Sequence, residues 1–484
     1  MLPKVQQLVF KEKWQEAQKA FGRNMIGRPV EQQKYQPMGN VIFEFDKSSK
    51  ADNYRRWLDL KTGITEVEYT SDGVRFKREV FSSIPDQAII IRLTADKANK
   101  LSFRTALRGV RNQDHSNYAT DYFHMDSEDN NTLLLTGKSA DYLGVKGQLN
   151  YEARLKAVTE GGTTTIDGDY LEVKDATSVT LYLVVATNFV NHKDVSADQH
   201  ARAEKHQNEV QFKSFDRLKS DQINGYQKYF NRLSLNLPVT AQSYLPTDER
   251  LKTNVSKPDP ALSALAYQFG RFVLITSSLP GTQAANLQGI WNQDSDPMWD
   301  SKYTTNINLQ MSYWPADAAN LSDCAEPLYD LVKNVSEQKA EVAKENYGAK
   351  GWVLHQNTDL WMVAAPMDGS TWGTFTTGGA WLTNQLWQQY LYTKDPAFLK
   401  KIYPLIKGST EFFMDFLVKQ PDSKWYVTNP SNSPENFPVR SNSGRYFDEV
   451  TGSFIPYGTN ICAGSSIDMQ IVHDLFTAYM FLRD

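Results

Sequence analysis

The run NPSNSPENFPV (429–439) holds three prolines and three asparagines around a single carboxylic acid, Glu435. Each proline removes a backbone donor and biases the residue before it toward an extended conformation, so neither a helix nor a central strand fits. A stiff backbone lowers the entropic cost of holding one acid in one geometry. In an aromatic-lined pocket, desolvation would raise the pKa of that acid, as a general acid working near neutral pH requires. A solvated loop glutamate has the same local sequence, so the run alone leaves both readings open.

A second group of residues lies in SKYTTNINLQMSYWPADAANL (301–321). Asn306 and Asn308 are two apart, and an extended chain would point both to one side. Paired carboxamides donate and accept, so they suit a water or a sugar hydroxyl as well as they suit a loop backbone. Tyr313, Trp314 and Pro315 follow, and tryptophan beside polar side chains is a common way to face a sugar ring. A third stretch, GWVLHQNTDLWMVAAPMDGSTWGTFTTGGAWL (351–382), carries His355, Asn357 and Asp359 ahead of Trp361, Trp372 and Trp381. No second histidine lies at ligand spacing from His355, so no metal site is expected; a buried, hydrogen-bonded ring or a substrate hydrogen bond remains. No GxSxG elbow and no phosphate-binding loop occur, since GTFTTGG lacks the lysine. No cofactor is expected.

The elements that must carry these residues change character along the chain. DQAIIIRLTA (86–95), LSFRTALRGV (101–110), GQLNYEARLKAV (147–158) and SVTLYLVVATNF (178–189) read as strands, separated by turn signals such as TEGGT and TIDGDY. With few helical patterns between them, an antiparallel β-sandwich over residues 1–196 is expected. Residues 197–259 read as a helical linker ending in an extended segment. From 260 to 484 the apolar residues recur at helical spacing in 261–278, 324–347, 379–393, 397–418 and 465–484. Nine of the eleven tryptophans lie beyond residue 258, which places the aromatic chemistry in this half. The fold class is therefore α+β and multidomain.

Composition bounds the rest. A chain of 484 residues is too long for one ordinary core. A formal charge of −4 does not suggest nucleic-acid binding. No apolar run is long enough for a membrane span, and the N-terminal MLPKVQQLVFKEKWQEAQKAF has helical spacing rather than the form of a signal peptide. Cys324 and Cys462 are expected as free, buried thiols.

LPGTQAANLQGIWNQDSDPMWDSKYTTNINLQMSYWPADAANL (279–321) resembles the signature of glycoside hydrolase family 95, the inverting α-L-fucosidases, and NPSNSPEN resembles the family's general-acid loop. YQFGRFVLITSS (267–278) matches the helix before the signature, and residues 35–45 and 54–93 resemble the family's β-sandwich. The resemblance implies that residues 260–484 form the first part of an (α/α)6 barrel. It implies Glu435 as general acid, with Asn306 and Asn308 holding the attacking water on the opposite face of the fucose ring. In the family a distal aspartate supports those amides; only 49 residues follow Glu435 (484 minus 435), and none here matches it. A fragment truncated at both ends is the resulting expectation. Trp372 and Trp381 are candidates for stacking on the sugar and His355 for bonding a hydroxyl. The implied partner is a fucosylated glycan with terminal, α-1,2-linked L-fucose, and the implied location is periplasmic or secreted. The same mechanism on α-L-galactosides and an inactive carbohydrate-binding remnant are the competing readings.

Overall fold

The computed structural model describes residues 1–45, 50–109, 123–294, 296–338, 340–436, 445–448, 453–456 and 459–483. The chain divides into two compact units. One comprises Met1–Tyr35, Thr276–Asn292 and Pro297–Asp484; the other comprises Gln36–Ile275 and Gln293–Asp296.

The second unit contains the sandwich. Its strands are β1 (Gly39–Glu44), β2 (Asp52–Asp59), β3 (Ile64–Ser71), β4 (Val74–Ser83), β5 (Ala88–Ala95), β6 (Leu101–Gly109), β7 (Phe123–Glu128), β8 (Thr132–Lys138), β9 (Asn150–Glu160), β10 (Thr163–Asp167), β11 (Tyr170–Ala176) and β12 (Ser178–Thr187). They form a four-stranded sheet in the order β1-β6-β11-β10 and an eight-stranded sheet in the order β2-β3-β4-β5-β12-β9-β8-β7. Every pairing in these two sheets is antiparallel. Alternation sends Phe103, Leu107, Leu171 and Val173 of the small sheet and Leu133, Leu155, Leu181 and Leu183 of the large one into a shared core. On its other face the large sheet is covered by α3 (Gln199–Val210) and α4 (Phe215–Phe230), whose Val210 and Leu218 pack with Ile90, Phe81 and Tyr182. Asp198 and Ser214 cap these two helices through their side-chain oxygens. These two helices make up the first part of the linker; after α4 it is mostly irregular, with one short helix that periodicity did not reveal, α5 (Thr247–Thr253), before α6 (Pro260–Ser277).

The first unit is helical. The N-terminal segment forms two helices, labelled α1 (Leu2–Phe10) and α2 (Trp14–Asn24). Residues 1–35 group with the helical unit and not with the sandwich. The physical reason is their periodicity: Val5, Val9, Ala17 and Phe21 form a helical stripe that is fully buried, and α2 contacts α11 (Ser370–Gly373). The remaining helices are α7 (Asn308–Tyr313), α8 (Pro315–Ala318), α9 (Glu326–Gln338), α10 (Ala340–Tyr347), α12 (Gly378–Thr393), α13 (Pro396–Phe416) and α14 (Ser466–Arg483). Helices α12, α13 and α14 pack against one another. Asp395 caps α13 and Pro396 starts it; Ile402, Leu405, Ile406, Phe412, Phe413 and Phe416 supply its buried stripe. Short strand pairs, β13 (Tyr303–Thr304) with β14 (Asn357–Thr358), β15 (Val418–Lys419) with β16 (Tyr426–Val427), and β17 (Arg445–Asp448) with β18 (Ser453–Pro456), pin the loops. Sandwich followed by part of an (α/α)6 toroid is the fold. Among the described residues no helix is long and apolar enough to cross a membrane.

Candidate active site

The proline-rich run is a loop, as its composition demands, and it is anchored from three directions. Gln6 of α1 donates its Nε2 to the Asn429 carbonyl (3.0 Å), and Asn429 Nδ2 returns a bond to the Gln6 carbonyl (3.1 Å). Asn432 Nδ2 donates to the Thr371 carbonyl (2.9 Å) and to Thr374 Oγ1 (3.1 Å). Ser431 exchanges two backbone hydrogen bonds of 2.8 Å with Cys462. Thr428, Asn429, Ser431 and Asn432 are all buried, whereas Ser433 and Pro434 are half-buried and Glu435 is exposed. The aromatic lining expected around Glu435 is therefore not found among the described residues; residues 437–444 of the same stretch lie outside them. The loop is fixed at its base and free at its acid.

Asn306 and Asn308 do not share an extended segment. Asn306 sits in a turn, and Asn308 is the exposed first residue of α7, because Ile307 breaks the alternation with ψ near −39°. The turn itself is tightly held. Thr305 donates its backbone N–H to the Gln356 carbonyl (2.6 Å) and its hydroxyl to the His355 carbonyl (2.5 Å). Asn306 is half-buried, and its Oδ1 is a buried acceptor without a hydrogen-bond partner; Asn357 Oδ1 and Thr358 Oγ1 on the adjacent strand share that state. Buried polar atoms are normally paired, so each of these unpaired atoms is a place where a polar ligand gains a hydrogen bond.

The strip from Thr371 to Gly378 joins these two parts. At one end it receives Asn432; at the other, Gly378 lies so close to Thr305 Oγ1 and the His355 carbonyl that a Cβ there would approach them to 2.8 and 2.1 Å. Glycine is required by that approach. His355 is a buried, satisfied ring. Its Nε2 lies 2.6 Å from the Tyr347 hydroxyl and its Nδ1 2.6 Å from the Ala364 carbonyl, so neither nitrogen remains for a sugar. Burial pushes its pKa down to about 4. Trp372 is half-buried and meets the exposed Trp299 edge to face, with centroids 5.4 Å apart; Trp381 is half-buried in the first turn of α12.

Two charged features escaped the sequence reading. Lys302 is buried between Asp300 (3.0 Å) and Asp368 (3.2 Å). Burial disfavours its ammonium, but the two carboxylates outweigh that and hold its pKa above the ordinary lysine range. Asp368 also accepts from Gln356 Nε2 (3.1 Å) and from Asn357 Nδ2, which fixes the strand beside Asn306. Trp299, Asp300 and Ser301 are consecutive left-handed residues (φ 52°, 57° and 53°), a costly backbone whose effect is to turn Asp300 onto Lys302. The second feature is Asp468 of α14, wholly buried. Its signal was readable: Asp468, Ile471, Val472, Leu475 and Ala478 form the buried face of α14, so a carboxylate stands where periodicity calls for an apolar residue.

Comparison with known proteins agrees with this architecture. Residues 214–483 match the model of the glycosyl hydrolase family 95 catalytic domain, and residues 1–192 match the glycosyl hydrolase family 65 N-terminal domain. The chain is 36% identical over 473 residues to "Alpha-L-fucosidase 2" of Arabidopsis thaliana, covering 90% of this chain and 54% of the relative. It is 30% identical over 424 residues to "Probable alpha-fucosidase A" of Aspergillus niger, covering 84% and 52%. The chain thus spans about half the length of these curated relatives. A solved structure, "Putative kojibiose phosphorylase from human microbiome", superposes with a TM-score of 0.53 at 12% identity over 84% of this chain and 52% of that one, a likeness of fold alone. With more than half of its 484 residues inside the catalytic-domain match, the chain belongs to glycoside hydrolase family 95.

Proposed function

We propose that this chain carries the acid and water-holding residues of an exo-acting α-L-fucosidase that removes terminal, α-1,2-linked L-fucose from glycans with inversion. Glu435 donates its proton to the departing glycosidic oxygen as the bond to the anomeric carbon breaks. Asn306 and Asn308 orient a water that attacks that carbon from the opposite face. Inversion requires room for this water, and the usual two-carboxylate arrangement separates acid and base by about 6.5–9.5 Å. Amides are weak bases, so the proton that the water sheds as the new C–O bond forms is proposed to pass to a carboxylate of the kind that in this family follows the general acid. Trp372 and Trp381 are proposed to face the ring.

The observation that supports this reading most is the strip Thr371–Gly378. It hydrogen-bonds the Glu435 loop at one end and abuts the Asn306 turn at the other, so both reacting sides rest on one rigid support. Asn306 is half-buried, and its buried, unpaired Oδ1 is an acceptor suited to the hydrogen of an ordered water. The test is release of free L-fucose from 2′-fucosyllactose, by these 484 residues and by a version continued to the length of the relatives. Proton NMR during the first turnovers reads the anomer: initial β-L-fucose is expected. Initial α-L-fucose would overturn inversion. Release from α-L-galactosides alone would shift the substrate class, and sugar binding without turnover by either form would leave a binding remnant.

A further inference from the structure

We propose that Asp468 is the positioning residue of the Glu435 loop, gathering three hydroxyls from separate segments so that the loop presents its acid in one orientation. The proposal rests on the reading of Glu435 as the acid. Its starting point is a helix cap put to unusual use. Ser465 precedes α14 and accepts the Asp468 backbone N–H on its Oγ (3.4 Å), as the first half of a capping box would. In an ordinary box the acidic side chain three residues on would return to the Ser465 N–H. Here that N–H donates instead to Ser431 Oγ of the loop (3.0 Å), and Ser431 donates its own hydrogen to Asp468 (2.7 Å). The loop has inserted itself into the cap.

The carboxylate is then fully used. Thr377 Oγ1, from the strip joining the two halves of the site, donates at 2.7 Å, and Thr428 Oγ1, at the entry to the loop, donates at 3.1 Å. An ionised carboxylate only accepts, and three hydroxyl donors satisfy it without any cation. Ser465 Oγ adds a bond to the Asn432 carbonyl (3.2 Å). Asp468 therefore ties together Thr377, Thr428 and Ser431, the last only four residues before Glu435. Its burial is costly for a charge, and a mere helix cap needs no burial at all. Burial raises its pKa and the hydroxyl bonds lower it, which leaves it pushed up to about 6.

Hydrogen exchange on the 484-residue chain tests the anchorage directly. Asp468→Ala should speed exchange in peptides covering 428–436 and 462–466 by on the order of tenfold or more, with the sandwich strands and α13 unchanged. Unchanged protection at 428–436, or equal loss of protection along all the helices, would overturn the proposal. Kinetics then test the purpose, in a form that turns over fucosides. An activated leaving group such as fluoride needs little acid assistance, whereas a sugar leaving group needs much. Asp468→Ala should lower kcat/KM for the sugar substrate by about 10–100-fold and leave the fluoride nearly untouched, with Asp468→Asn intermediate. An equal fall for both substrates would mean a structural role only and would overturn it. Glu435→Gln is the reference: if that variant shows no leaving-group split, the acid assignment itself fails, independently of the exchange result.

Discussion

The core between the two sheets and the candidate site of the helical unit bury different things. In the sandwich the interior is aliphatic and aromatic, with Leu133, Leu135, Leu155, Leu181 and Phe103 meeting between two sheets. In the helical unit the buried set includes Lys302, Gln310, His355, Gln356, Asn357, Asp359, Thr377, Asn429, Asn432 and Asp468. Apolar burial stabilises with little directional demand, whereas each buried polar group stabilises only when its partner stands at the right distance and angle. The difference teaches a division of labour. The core between the sheets is organised by area, the candidate site by aimed hydrogen bonds, and aimed bonds are what a site for chemistry requires.

The largest effect should come from the acid itself. Glu435→Gln keeps the size and removes the transferable proton, and its side chain is exposed, so stability should hardly change. Turnover of a glycan substrate should fall about 10²–10⁴-fold, the usual contribution of a general acid. Full activity in this variant would sink the assignment. The sandwich should respond in the opposite currency. Leu155 is wholly buried and stands opposite Leu183 and Leu133 on its two neighbouring strands. Leu155→Ala should destabilise the sandwich by about 2–5 kcal/mol, read by urea melting. A loss below ~1 kcal/mol would show a core far looser than its burial indicates.

The next effect separates two buried titrating groups of the helical unit. Asp468 is pushed up to about 6, so its folded form binds a proton more readily than the unfolded chain. Its contribution to stability is fully present below the ordinary 3.8 and is lost as pH rises through about 6. His355 is pushed down to about 4, so its contribution is present above the ordinary 6.5 and is lost as pH falls through about 4. The two slopes oppose each other, and stability should vary little between them. Cys462, the other titrating group beside Asp468, is pushed up to about 11 by burial and by that carboxylate, and stays neutral throughout. Asp468→Asn should uncover the histidine slope: stability rising by up to about 3 kcal/mol from pH 4 to 6.5. Thermal melts across that range would decide, and a variant as flat as the parent would refute the opposition.

What could be read in advance divides along the same line. Period-two runs such as SVTLYLVVATNF and period-3.6 runs such as AFLKKIYPLIKGSTEFFMDF carry their own structural signal, because area burial depends on pattern. Both appear where expected, as β12 and α13. The prolines around Glu435 likewise announced a loop. The aimed bonds were not legible, since they depend on which distant segments meet. Asn306 and Asn308 looked paired along an extended strand until the turn at Ile307 separated them. His355 looked available until Tyr347 and the Ala364 carbonyl were found on its ring. Asp468 left a trace, a carboxylate on an apolar helix stripe, but its partners are 91, 40 and 37 residues away. The helical spacing of the N-terminal residues announces helices, but not that residues 1–35 group with the helical unit.

That grouping yields the smallest effect and the finest test of the contrast. Gln6 of α1 and Asn429 bond each other reciprocally, side chain to backbone in both directions, across 423 residues of sequence. Gln6 is half-buried, and Asn429 is buried with its Oδ1 unpaired. Gln6→Ala removes the bond donated by Gln6 Nε2 and leaves the backbone carbonyl that Asn429 uses, so only half of the pair is lost. The expected cost is about 0.5–1.5 kcal/mol, the net worth of one such bond. If the loop is held by aimed bonds, that cost should appear locally, as faster hydrogen exchange at 428–432 with α13 and α14 unaffected. Packing alone would distribute it, lowering the melting point slightly with no local signature. The same measurement on Val5→Ala, which empties a fully buried apolar position of α1, supplies the contrast within one helix: a larger loss of stability, spread over α1 and α2 instead of focused on the loop.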